Sequence, residues 1–100
     1  MKLLLKIGLI AAFVSLGACE TAPPVQEMSD ARQAIAVAKK AGAADHAATH
    51  LEAAEGYLAN AEKSLSSHAY HQARRDANQA KQKALDALKA AEDVSESGNN

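Results

Sequence analysis

An all-α fold is what this chain predicts: an antiparallel hairpin of two alanine-rich helices with a shorter first helix beside it, a three-helix arrangement. Three observations carry the prediction. Apolar residues recur at alternating spacings of three and four through most of residues 28–95, alanine holds most of those positions, and the periodicity lapses at Gly42 and at Ser66-Ser67-His68.

The first element precedes that domain. Met1-Lys2 opens the chain, an uncharged apolar run extends from Ile7 to Ala18, and Leu16-Gly17-Ala18-Cys19 closes it. A positive start, an apolar middle and small residues ahead of a single cysteine form a bacterial lipoprotein signal peptide, residues 1–18, with cleavage before Cys19. An uncleaved spanning helix fails on length, because the uncharged run covers about 18 Å at roughly 1.5 Å per residue against about 30 Å of hydrocarbon. The thiol of Cys19 then carries the diacylglycerol, and the partner implied is the bilayer itself. Several acyl chains, at about 0.8 kcal/mol per buried methylene, make such attachment effectively permanent. Cys19 is the only cysteine, so no internal disulfide framework is available.

Residues 19–27, Cys-Glu-Thr-Ala-Pro-Pro-Val-Gln-Glu, read as a tether, since Pro23 and Pro24 favour extended backbone. At roughly 3.3 Å per residue it reaches at most about 25–30 Å. Ser29 or Asp30 is the expected cap of a first helix that runs to about Ala41, with Met28, Ala31, Ile35 and Ala38 on one face and Gly42 as its stop. Asp45 is the expected cap of the second helix, whose seam is Ala47, Leu51, Ala54, Leu58, Ala61 and Leu65. The third carries Tyr70, Ala73, Ala77, Ala80, Ala84, Ala87, Ala91 and Val94, and a polar tail follows from about residue 96 to residue 100. Elements of roughly 22 and 26 residues joined by a short turn form a hairpin, and alanine lets their backbones approach toward the lower end of the usual 8–10 Å. Leu51, Leu58, Leu65, Leu85 and Leu88 are expected to fill the remaining space; the core stays thin, so a partner or self-association is expected to add stability.

The lipobox, the short proline-containing tether and the run Ala41-Gly42-Ala43-Ala44 followed by Leu51, Ala54-Glu55, Leu58, Ala61, Leu65, Tyr70, Ala73, Ala77, Ala80 and Ala84 resemble small envelope lipoproteins that carry domain-of-unknown-function family 4398. The resemblance covers about residues 28–92. It implies an envelope location and a helical fold, and it supplies no catalytic residues. Members of that family often continue into a peptidoglycan-binding domain of the outer-membrane-protein-A type, and the sequence ends before any such module. Asp45-His46-Ala47 stands where family members often have tyrosine and proline.

Chemistry is sparse. His46 and His50 stand four apart, and one helical face could offer both to a metal; but Ala47 follows His46, so the glutamate of a His-Glu-x-x-His hydrolase is missing. His68 and His71 form a second pair near the turn, without completing a four-ligand set. Glu92 and Asp93 are the adjacent carboxylates, placed near a fraying end. Arg74, Arg75, Lys81 and Lys83 give the third helix a basic side that reads as a solvated face interleaved with Asp76 and Asp86, and Tyr57 and Tyr70 read as plugs at the hairpin's edge. No catalytic residue, metal ligand or cofactor is therefore assigned, and no small-molecule substrate is evident.

Processing removes Lys2 and Lys6, leaving nine of eleven basic residues against twelve acidic ones, a net charge of −3, which takes away the electrostatic basis for nucleic-acid binding. The expectation is thus a non-enzymatic lipoprotein, an interaction or structural module facing the periplasm, whose candidate partners are an envelope protein or a second copy. Glu20 follows Cys19 where enteric inner-membrane retention uses aspartate, so the outer membrane is favoured over the inner. The rivals are a murein-lipoprotein-like trimeric coiled-coil spacer, against which Gly42, Gly56 and the terminal Ser97-Gly98-Asn99-Asn100 count, and a periplasmic metal-binding protein.

Overall fold

A computed structural model describes residues 22–98, and across them the chain is helical with no strand. The segment read as a signal peptide, with Leu16, Gly17, Ala18 and Cys19, the expected tether as far as residue 21, and Asn99 and Asn100 lie outside the described residues. Four helices follow in order: α1 (Val25–Lys40), the single turn α2 (Ala43–His46), α3 (Ala48–Ser66) and α4 (Tyr70–Gly98).

Helix α1 starts earlier than its side chains suggest. Pro24 occupies the N-cap, and the Met28 amide donates to its carbonyl at 3.0 Å, so Ser29 and Asp30 lie inside the helix rather than capping it. Proline fits a helix start because the amide it lacks has no helical partner there. Val25, Gln26 and Glu27, expected in the tether, are therefore helical. The predicted face is correct throughout: Met28, Ala31, Ile35 and Ala38 are all buried.

Gly42 ends α1 with φ +90°, its amide donating to the Lys39 carbonyl at 3.0 Å. Asp45 does not cap α3, as the sequence suggested; it sits within α2, and α3 begins after Ala47, which has φ −147° and ψ 42°. The second reversal follows Ser66. His68 adopts φ +62°, its amide donates to the Leu65 carbonyl at 3.0 Å, and the Ala69 amide reaches back to the Ser64 carbonyl at 2.8 Å. This pair of bonds is the Schellman closure, here built on a histidine where glycine is usual. Hydroxyls of Ser66 and Ser67 donate back to the Glu62 and Lys63 carbonyls four positions earlier, and the Lys63 carbonyl also accepts the Ser67 amide at 3.2 Å.

Helix α4 is the shared partner of α1 and α3. Ala73, Ala77, Ala80, Ala84, Ala87 and Ala91 are each fully buried, a run spaced 4-3-4-3-4 that keeps one stripe facing the neighbours. One cluster joins Met28 and Ala61 to Ala77; a larger one joins Ile35, Ala38, Leu51 and Ala54 to Ala84, Ala87 and Ala91. Rising numbers on α1 meet rising numbers on α4 and falling numbers on α3, so α3 and α4 form the antiparallel hairpin and α1 runs parallel to α4. Ion pairs Arg32–Glu62 at 3.3 Å and Lys39–Glu55 at 2.9 Å mark the antiparallel register of α1 on α3. Both are about half exposed, so they record the register more than they stabilise it.

Three expectations fail at the periphery. Leu85 is 40% exposed and Val94 44% exposed: Leu85 falls beside the alanine stripe, in the open groove that it lines with Ala34 and Val37 of α1, and Val94 lies beyond the last buried seam position, Ala91. Gly56 does not interrupt α3; a Cβ there would meet nothing within 4 Å. The first residues of the polar tail expected from about residue 96 are helical as well, since α4 continues as an exposed helix to Gly98.

Candidate functional site

The most specific polar arrangement lies where the tether meets the bundle. Pro24 is among the most completely buried side chains in the described chain, and Val25 turns the backbone into α1, its N–H donating to the Pro23 carbonyl at 2.8 Å. From α4, Arg74 donates through Nη2 to the Ala22 carbonyl at 3.0 Å and through Nε to Glu27 Oε1 at 3.3 Å. Its planar fork suits this double engagement, one arm on the backbone and one on a carboxylate. The first described residue is thus clasped to α4 beside the Ser66–Tyr70 turn, three positions after Cys19.

This clasp was not legible in the sequence. Arg74 read as part of a solvated basic side, yet its side chain is only 27% exposed and its partners lie 47 and 52 positions away. Asp76, read as an exposed charge interleaved on that side, is buried, and its carboxylate accepts from Gln72 Nε2 at 3.0 Å. A glutamine four positions before an aspartate was the one available signal for that bond. Arg75 stays exposed and Lys81 and Lys83 half-buried, so Arg74 alone of the four turns inward to the chain's entry.

The histidine pairs come apart. His46 belongs to α2 and His50 to α3, with the non-helical Ala47 between them, so the continuous helical face that would have brought them together does not form. His68 occupies the left-handed turn position and tilts against Tyr70 with ring centroids 5.9 Å apart, while His71 is exposed on α4. Among the described residues no group of three or more histidine, cysteine, aspartate or glutamate side chains is placed to hold a metal ion. Glu92 and Asp93 are exposed on the last turns of α4. Tyr57 and Tyr70 are half-buried at helix edges.

Open grooves flank α1 and the first reversal among the described residues. Between α1 and α4, Ala34, Val37, Leu85 and Leu88 form an apolar strip bordered by Asp30 and Lys81; beside the first reversal, Leu51, Ala44 and Ala48 lie under Lys39, Glu52 and Glu55. No helix among the described residues is long and apolar enough to cross a membrane. No family model, curated protein or solved structure matches the chain. The resemblance to family 4398 therefore rests on the residues quoted above.

Proposed function

We propose that this chain is a non-enzymatic envelope lipoprotein, held through acylated Cys19 to the periplasmic face of the outer membrane, whose helical bundle serves as an interaction or structural module. The observation that carries the reading is Leu16-Gly17-Ala18-Cys19 after a short positively started apolar run. The clasp by Arg74 supports it from the other side, because a chain anchored at residue 19 needs a firm entry into its folded part, and Ala22 and Glu27 are both held. Two sharp reversals, at Gly42 and His68, fold the apolar seams onto one another within a single chain, which favours a self-packed module over a spacer of long continuous helices.

Mass spectrometry of the protein isolated from the membranes of a producing bacterium tests the reading. The expected product begins at residue 19 with a diacylglycerol thioether and an acylated amine, and Cys19→Ser leaves an unprocessed or soluble protein. A mature product with a bare thiol, or Cys19→Ser protein that still fractionates with the outer membrane after processing, defeats it.

A further inference from the structure

Charge is distributed unevenly along the bundle. The half next to the tether, made of the start of α1, the end of α3 and the start of α4, carries Arg32, Lys63, Arg74, Arg75, Lys81 and Lys83 against Glu27, Asp30, Glu62 and Asp76. The Arg74–Glu27 and Arg32–Glu62 pairs cancel and Asp76 is buried against Gln72, which leaves Lys63, Arg75, Lys81 and Lys83 against Asp30. Lys63, His68, His71 and Arg75 are exposed around the turn itself. Beyond the Lys39–Glu55 pair the balance reverses: Asp45, Glu52, Asp86, Glu92, Asp93 and Glu96 face only Lys40 and Lys89. On the tether, Glu20 lies outside the described residues.

We infer that the end of the bundle bearing the α3–α4 turn is a docking face for an anionic bilayer surface, so that the bundle stands upright with the last turns of α4 directed away from the membrane. This rests on the lipid-anchored reading above. The helical start at Val25 and the Arg74 bond to the Ala22 carbonyl together cut the expected nine-residue tether to about three residues, whose reach is at most roughly 10 Å. The turn end therefore sits within about one Debye length, 8–10 Å, of headgroup charge, where each lysine or arginine is attracted. In the upright pose Ser95 stands about 38 Å further out along α4, at 1.5 Å per residue from Tyr70, and its acidic neighbours are screened from the surface. Lying flat would bring Asp86, Glu92 and Asp93 into the anionic layer, and the electrostatics oppose that pose.

Full-length protein produced with its anchor, carrying Ser67→Cys or Ser95→Cys for a donor dye, is reconstituted into vesicles of zwitterionic phospholipid with or without one-third phosphatidylglycerol, with an acceptor dye on the lipid headgroups. In anionic vesicles the Ser67 donor is expected to transfer energy at least threefold more efficiently than the Ser95 donor. Neutral vesicles, or Lys63→Gln with Arg75→Gln, are expected to bring that ratio toward one while circular dichroism shows unchanged helix. A ratio near one in anionic vesicles, or a high ratio indifferent to lipid charge and to both substitutions, overturns the orientation. Protein that an alkaline carbonate wash strips from the vesicles has no anchor, which overturns the proposed function and this inference together; anchored protein without the ratio overturns the inference alone.

Discussion

The two chain reversals meet the same demand with different residues. At Gly42 the backbone takes φ +90°, a region that a residue without Cβ enters freely. At His68 it takes φ +62°, and a residue with a full side chain is held there by the hydrogen bonds that the His68 and Ala69 amides donate to the Leu65 and Ser64 carbonyls. A third position, Gly56, has glycine in the middle of α3 with no structural requirement for it. The contrast teaches that glycine marks a reversal only where φ is positive, and that a helix end closed by its own hydrogen bonds can dispense with it.

Both reversals serve one contact, the alanine stripe of α4, so the largest effect belongs there. Ala80→Leu places three extra carbons at a fully buried position between closely approaching helices, and is expected to cost about 1–3 kcal/mol. For a domain of this size each kcal/mol lowers Tm by roughly 4–8 °C, read by circular dichroism on the soluble domain. An unchanged melting curve would mean that the turns do not bring the backbones together at this stripe.

Next in size is a pair of glycine substitutions with opposite signs. Gly42→Ala is expected to lose about 1–2 kcal/mol, because alanine is strained in the left-handed region even though its Cβ would meet His46 at an ordinary 3.4 Å. Gly56→Ala is expected to gain about 0.5–1 kcal/mol, since it restores helix propensity at an open position. Equal signs in urea titrations would erase the distinction drawn between them. The smallest change sharpens the other side: His68→Gly removes the left-handed strain but enlarges the freedom of the unfolded chain, leaving a net gain of about 0.5 kcal/mol. A loss of stability there would show that the imidazole's contact with Tyr70 contributes more than the backbone gives up.

Most of the fold was legible because it is periodic. Met28, Ala31, Ile35 and Ala38, then Ala47, Leu51, Ala54 and Ala61, then Ala73 through Ala91 were all placed in the core by spacing alone, and all are buried. The helix starts were less legible, because neither Ser29 nor Asp45 caps anything: Pro24 and Ala47 occupy the cap positions without a side-chain hydrogen bond. Leu85 was assigned to the core on hydrophobicity, yet it falls beside the alanine stripe where α1 does not cover it. The clasp was invisible for a different reason. Its donor and acceptors are separated by about half the chain, and only the parallel course of α1 along α4 brings Glu27 and Ala22 under Arg74.

That parallel course has a mechanical consequence. Tension that enters at Ala22 and pulls away from the turn end acts along the axis of α1, so it tries to slide α1 lengthwise past α4 instead of peeling it away one contact at a time. Met28 would have to leave Ala61 and Ala77 together with Ile35 leaving Ala84, and the guanidinium grip would have to open at the same moment. A leash attached at this corner would load the whole interface in shear, the geometry in which many weak contacts resist as one.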